Sequence, residues 1–508
     1  MQLTSILSVA LCARFLACYI GFVICRWIYR LSPLHPLAKF PTPSRLACAS
    51  QWYQFYWNAV RGGVYLFVIE KWHEELGPIV RVGPNELNIN DPAFLNVVYS
   101  HKFERYGAFY NGLKGPVDSF MGAPAAEHRV RKRIFGPLFS VANIQNLEES
   151  MRYFIEKLAN LVSTTGKNGQ GVEISRLFGC FTTDVVSEYM FGRSFDCLET
   201  NLDSRPYESI MACKSFAWWI IWFSPIVHLF DLIPYRIVKT VAPKALVGIT
   251  DLIDLSTEKT VEFTRDPVKA RSMTKTDHPI VLDVLLGDPN SPYSRNPKWA
   301  IGDGIIAMAG AVETVGPTLI AGIYHACVNP LVQRKLHEEL TLAFPGGTKM
   351  ITAAECERLP YLVAFIKEVL RKSPPLITRI PRVAPKGGTT LGDVYIPEGT
   401  IVSMSSYLMH HKPEIYPKPH DFIPERWLAT TPSSPEEKAW MPYSRGNRIC
   451  AGIHFAHTEL HMTFAFLFLR FKMKLHPENK LEDINAFVDM ISRHGQRHLL
   501  VSVEDMEN

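Results

Sequence analysis

The sequence has no C-x-x-C pair. Its ten cysteines lie far apart, at Cys12, Cys18, Cys25, Cys48, Cys180, Cys197, Cys213, Cys327, Cys356 and Cys450. That removes the spacing on which zinc knuckles, c-type haem attachment and thioredoxin-type exchange depend. It also has no Asn-x-Ser/Thr sequon, and the two absences together favour a reducing, cytosol-facing body. Net charge is only +5 over 508 residues, too small and too dispersed to argue for a nucleic-acid partner. No Lys or Arg precedes the first apolar run, where a cleaved secretory signal would carry its charge. No G-x-G-x-x-G follows a strand pattern, so the chain shows no dinucleotide or flavin segment of its own.

What is present points to a membrane. The 47% hydrophobic and 11% aromatic content fits a globular protein with membrane contact. Length alone suggests two to four domains. Residues from Ile6 to Ile28 are nearly all apolar, close to the roughly 20 that a bilayer helix needs. Arg26, Arg30, Lys39 and Arg45 follow the run, and positive charge on that side places the downstream body in the cytosol. Arg14 stands in mid-run, where an arginine costs ~2.5–3.5 kcal/mol; snorkelling or a shallow helix relieves it. Residues 1–30 are therefore expected to be a membrane anchor. Pro33, Pro36, Pro41 and Pro43 forbid helix and predict a stiff, extended connector over 31–45.

Along the body, the stretch Gly77 to Asn90 reads as two short strands turning at Gly83-Pro84. Phe103 to Met121, rich in Tyr, Phe and Gly without a clean period, reads as a long loop. His128 and Lys132, at i and i+4, share one helix face; a solvated basic face explains them equally well. Thr182 to Gly192 reads as an amphipathic helix ended by its glycine. Phe216 to Phe223 is the most aromatic window, which core packing explains as well as function does. Ile301 to Val328 is a long helix-compatible run weakened by Gly310, Gly316 and Pro317, which a helix built only for stability would avoid. Within it, Glu313-Thr314 sets an acid before a hydroxyl among small residues. Thr314 suits hydrogen bonding at a reactive centre and Glu313 suits proton relay from solvent; a back-bonding threonine is the bland alternative.

Glu368 and Arg371, at i and i+3, meet on one helix face; alone, Glu-x-x-Arg is weak. Pro374 and Pro375 break that helix and feed a strand at Arg382. Thr389 to Val402 reads as a hairpin. His410-His411 resembles a metal pair, but no carboxylate–His spacing supports zinc, so a loop is expected.

The most informative stretch is Tyr443-Ser444-Arg445-Gly446-Asn447-Arg448-Ile449-Cys450-Ala451-Gly452, followed by an apolar, helix-compatible run. Glycines let a backbone turn tightly and approach a flat ligand. Amides at a helix start stabilise a negative sulfur, and Arg448 offers a fixed cation to an anionic group on the same ligand. A flat, anionic, metal-bearing ligand with a cysteine below it means haem.

These residues resemble the haem loop of cytochrome P450 enzymes, Phe-x-x-Gly-x-Arg-x-Cys-x-Gly, with Tyr443 at the Phe position. The resemblance runs from the anchor to the end of the chain. In order come Glu313-Thr314, Glu368 with Arg371, Arg426 in Pro424-Glu-Arg426-Trp427, and Arg448 with Cys450. The proline hinge and the Pro-Glu-Arg-Trp spacing look fungal, of the type that includes trichodiene oxygenase. Two departures fall at Ala311, where glycine is usual, and Val315, where a second hydroxyl is usual.

The resemblance implies one mainly α domain with a small β region over 46–508. It implies haem b with Cys450 as axial thiolate, and Arg448, Arg382 and the His128/Lys132 pair at the propionates. It implies a buried structural cluster of Glu368, Arg371 and Arg426, with the aromatic window as roof over the substrate. The implied activity is insertion of oxygen from O2 into a small hydrophobic secondary metabolite, a terpenoid first, a polyketide or alkaloid second. The implied partner is an NADPH-dependent reductase, on the endoplasmic reticulum membrane with the body cytosolic. A haem-thiolate isomerase or dehydratase needing no reductase is the alternative, to which Val315 lends slight weight; a non-enzymatic tethered interaction protein is a third.

Overall fold

The computed structural model describes residues 2–114, 119–166, 171–200, 202, 205–214, 217–223, 240, 244–266, 278–479 and 499–506. Helix α1 spans Gln2–Leu31. Its stretch Leu11–Leu31 is long and apolar enough to cross a membrane, with mean hydropathy 1.7, and none of it is buried. This is compatible with an anchor. Arg30 closes the helix against the body, donating to the Ala49 carbonyl at 2.7 Å.

The proline segment is not extended. Its backbone folds through successive tight turns, with His35 bonded to Ser32, Ala38 to His35 and Phe40 to Leu37. The reason is packing: Leu37 and Phe40 are buried in an apolar cluster with Leu87 and Tyr99, which repays winding the chain inward.

The body then runs α2 (Tyr65–Leu76), β1 (Ile79–Gly83), β2 (Glu86–Ile89), β3 (Glu104–Arg105), α3 (Gly107–Lys114), α4 (Ala125–Leu138), α5 (Glu148–Gly166), β4 (Val172–Glu173), α6 (Ile174–Phe191), α7 (Arg205–Lys214), α8 (Ala217–Trp222) and α9 (Lys244–Arg265). It continues through α10 (Pro297–Val312), α11 (Val315–Val328), α12 (Pro330–Ala343), α13 (Pro360–Lys372), β5 (Arg382–Val383), β6 (Thr389–Leu391), β7 (Val394–Ile396), β8 (Ile401–Ser403), α14 (Ile453–Arg470), β9 (Phe471–Leu475) and β10 (Leu500–Asp505). One sheet has the order β1-β2-β8-β5-β3, a second β4-β10-β9, and β6-β7 form a hairpin. The mainly α architecture with small sheets is thus the observed one.

Several local expectations change. The stretch from Phe103 is a short strand and a helix rather than a long loop, because Glu104-Arg105 pair with Val383 and Arg382. The hairpin turns at Gly392, while Ile401–Ser403 leaves it to pair with β2 and β5. The α6 helix ends at Gly192 in the left-handed conformation, as its glycine predicts, but it is buried nearly all round rather than amphipathic. His410 and His411 are buried at the end of a short helix, Ser406–His410; His410 Nε2 accepts from the Met441 amide at 2.9 Å. Phe216 of the aromatic window lies outside the described residues.

The large core gathers around α6, α11, α13 and α14. Within α14, Glu459 is fully buried and, among the described residues, neither of its carboxyl oxygens has a hydrogen-bond partner. Burial therefore pushes its pKa well above the ordinary value, and the folded chain keeps a proton that the unfolded chain releases above about pH 4.3. A raised folded pKa contributes stability below the unfolded value and loses it as pH rises. Glu459→Gln is therefore expected to unfold at a higher temperature than the wild type at about pH 8. The gain should shrink toward about pH 4.5, as read from thermal unfolding across pH.

Candidate haem and catalytic site

The Cys450 turn is shaped by its neighbours. Gly446 has φ +75°, and a Cβ there would lie 1.8 Å from the Tyr99 carbonyl oxygen, so only glycine fits. Gly452 has φ −92° and caps α14; the tight-turn requirement falls on Gly446 alone. The Cys450 amide donates to the Tyr443 carbonyl at 3.0 Å, and the Gly452 N–H bonds the sulfur. The thiol is accessible, yet burial raises its pKa, the Gly452 bond opposing. A group that is both accessible and desolvated faces an interior space. A metal at the sulfur would deprotonate it outright.

Four elements bring a basic cluster together beside this turn. Arg105 on β3 and Arg382 on β5 are direct cross-strand partners, a like-charge pairing that destabilises a ladder unless an anion sits between. Burial, with Arg105 and Arg382 nearby, lowers the Arg448 pKa to about 9. Burial, with Arg382 nearby, lowers that of Arg105 to about 10. Burial, then Arg448, Arg105 and Lys132, hold His128 down to about 3, so it is a neutral donor rather than part of a cationic face. Lys132 donates to the Asn447 carbonyl at 2.8 Å, and Arg382 to the Tyr110 hydroxyl at 3.2 Å. Among the described residues, Arg448 Nη1 and Arg105 Nε are buried with no hydrogen-bond partner. Desolvated guanidinium groups aimed at one place, with donors to spare, suit paired carboxylates. The basic residues that the resemblance assigns to the propionates, Arg448, Arg382, His128 and Lys132, lie together here, and Arg105 joins them unforeseen.

The α10–α11 break falls at Glu313-Thr314. Pro317 lacks an amide hydrogen and so is tolerated only in a first helical turn; restarting the helix at Val315 puts it there. Thr314 Oγ1 donates to the Gly310 carbonyl at 2.6 Å, so the back-bonded form is present. Thr314 in turn accepts from the Thr318 hydroxyl at 2.7 Å. Glu313 is buried and lies near the Tyr207 phenol, whose pKa burial chiefly raises, with Glu313 contributing. Gly310 is accessible although α10 is a core helix, and a Cβ on it would meet nothing within 4 Å. The helix thus presents open space at its glycine.

The third constellation is closed to solvent. Glu368 and Arg371 are both 0% exposed at the side chain. Arg371 donates to Glu368 through Nε at 2.8 Å and Nη2 at 2.9 Å. Arg426 Nε adds 3.1 Å, the Ile423 amide 2.9 Å and Trp427 Nε1 2.9 Å. Arg371 spends its remaining donors on the carbonyls of His410, Pro419 and Asp421. Trp427 is a partner that the charged-residue pattern does not reveal, because an indole donor carries no charge to read.

An accessible but desolvated cysteine at a helix start, beside basic residues of which Arg448 Nη1 and Arg105 Nε keep free donors among the described residues, defines a haem-thiolate protein. The Cytochrome P450 family model matches residues 50–501, and the chain belongs to the cytochrome P450 family. It is similar to the cytochrome P450 monooxygenase sdnE of Sordaria araneosa, 32% identical over 93% of both chains. It is similar to the conidiogenone synthase PchP450 of Penicillium rubens, 31% identical over 90% of this chain and 91% of that one. The tryptophan 6-hydroxylase fscE of Fusarium equiseti is 29% identical over 92% of both. The protein is accordingly a monooxygenase, an oxidoreductase that uses haem iron with thiolate ligation. The residues fit that group: the buried cations lack only carboxylates, and the sulfur is accessible where the metal would sit.

Proposed function

We propose that the chain inserts oxygen from O2 into a hydrophobic secondary metabolite, a terpenoid first. Electrons come from an NADPH–cytochrome P450 reductase on the same endoplasmic reticulum membrane. Residues 1–30 are the anchor, 31–45 the hinge and 46–508 the catalytic domain. Bound haem b supplies the activation of O2. Cys450 would hold its iron through the sulfur. Arg448, Arg382, Lys132 and His128 would hold its propionates, and Arg105 is added to that set. Thr314 holds a proton at Oγ1, donated to the Gly310 carbonyl, and would be the proton donor at the site; the buried Glu313 beside it would resupply that proton. Val315 is buried in the core and offers no second hydroxyl, so delivery rests on Thr314.

The observation that carries this reading is the convergence of unpaired, buried arginine nitrogens beside an accessible Cys450. The terpenoid preference is supported by the hydrophobic anchor and by a relative named as a conidiogenone synthase. A cluster of Phe109, Tyr110, Trp218 and Ile221, and relatives named for tryptophan hydroxylation, favour an indole-type alkaloid as the second substrate class. A haem-thiolate isomerase would form product without NADPH, and that outcome would overturn the monooxygenase assignment.

The test is reconstitution with reductase and NADPH on extracts of a strain lacking the gene. Thr314→Ala is expected to keep haem and NADPH oxidation while product per NADPH falls roughly 10²-fold, the lower range for a lost proton donor. The missing equivalents should appear as peroxide. Unchanged coupling would remove Thr314 from the mechanism.

A further inference from the structure

A π-helical turn over Tyr56–Val60 precedes α2. Such turns insert one residue into a helix and re-aim its side chains. Tyr56 and Val60 are exposed, but Asn58 is turned inward and is 1% exposed. Among the described residues, neither its Nδ2 nor its Oδ1 has a hydrogen-bond partner. A buried amide has both donors and acceptors to satisfy, and leaving all of them unmade is strongly disfavoured.

The α8 helix packs across this turn. Trp222 lies 5.4 Å from the ring of Phe55 and shares an apolar cluster with Ala59, the residue after Asn58, and with Phe109, Tyr110 and Trp218. Its Nε1–H is also buried without a partner among the described residues. Tyr110 of that cluster accepts from Arg382, so the cluster reaches the basic residues beside the Cys450 turn. Two polar groups without partners, one amide and one indole N–H, thus lie on two elements that pack together in an aromatic surround.

We infer that Asn58 and Trp222 form a recognition site for a neutral oxygen or amide function on the substrate; this rests on the catalytic reading given above. Asn58 Nδ2 and Trp222 Nε1 donate to a carbonyl or hydroxyl oxygen. Asn58 Oδ1 accepts from a hydroxyl or an amide N–H. Neither residue is ionisable, so the function they match is uncharged. A bare hydrocarbon leaves both unpaired. The substrate therefore reaches this enzyme already bearing a hydroxyl, ketone or amide, installed by an earlier oxygenation, carbonyl-forming or acyl-transfer step.

The experiment uses the full-length holoprotein in detergent. Its probes are mono-, sesqui- and diterpene hydrocarbons, each paired with its own alcohol or ketone, and its readout is the ligand-induced change in the haem absorption band. At least one oxygenated probe is expected to bind about tenfold tighter than its hydrocarbon, the worth of an ordinary hydrogen bond. Asn58→Leu should erase that ratio while leaving the hydrocarbon affinity and the reduced carbonyl spectrum in place. Trp222→Phe, which keeps the ring and removes one donor, should reduce the ratio, and it decides the matter if Asn58→Leu fails to fold. No preference in any pair, as for a site that holds only a water, or a preference that survives both substitutions, overturns the inference. The catalytic reading fails separately, by absence of reductase-driven product.

Discussion

Cys450→Ala is expected to abolish the red-shifted Soret band of the reduced, carbonyl-treated protein, and product formation with it. Four other described cysteines, Cys48, Cys180, Cys197 and Cys356, are buried; Cys12, Cys18 and Cys25 belong to α1; Cys327 is half-buried. Among the body cysteines whose side-chain burial is described, Cys450 is the exposed one. The Cys450 turn is pinned by Gly446 against Tyr99, so another residue would need a different backbone to reach the same point. The alanine chain should remain folded, because the Cys450 amide keeps its bond to the Tyr443 carbonyl and only the Gly452 contact to sulfur is lost. Far-ultraviolet dichroism checks the fold and the carbonyl difference spectrum checks the ligand. A persistent red-shifted band, or undiminished turnover, would end the assignment.

Glu368→Ala is expected to give a chain that accumulates without haem. The carboxylate takes five donors from Arg371, Arg426, Ile423 and Trp427. Removing it leaves the fully buried Arg371 guanidinium without its counter-charge, a loss on the order of 3–5 kcal/mol. Against a total stability of roughly 5–15 kcal/mol for a folded domain, that is a large share. The damage is local to the approach to Cys450, because Arg371 also ties the carbonyls of His410, Pro419 and Asp421. Those bonds fix the segment that leads to the haem turn. Trp427→Phe, which removes one donor and keeps the ring, should retain haem and lose about 1 kcal/mol. Haem content per chain, measured after purification, separates the two. Full haem loading of the alanine variant would show that the cluster is dispensable.

The parts legible from sequence are those whose chemistry dictates residue type over a short span. The Cys450 turn, the Glu313-Thr314 break and the Glu368/Arg371 face each lie within one helical turn or one loop. Arg105 was not legible: it is the second residue of a two-residue strand, and its meaning comes from Arg382, far away in the chain, lying opposite it. Asn58 was invisible for a related reason. Its burial depends on a π-turn, which an apolar pattern does not mark. The proline segment misled because proline density reports what backbone cannot form, not where Leu37 and Phe40 find a core. Gly452 and Gly446 look alike as letters, and only the Tyr99 carbonyl tells them apart.

Tyr99 also has a mechanical consequence. Its carbonyl abuts Gly446, its hydroxyl donates to Met404 at 3.0 Å, and its ring lies 5.1 Å from the Arg382 guanidinium. The loop bearing the sulfur and the strand bearing a basic partner are thereby surveyed from a single benchmark. A substitution that displaced Tyr99 would therefore disturb the sulfur-bearing loop and the Arg382 strand together.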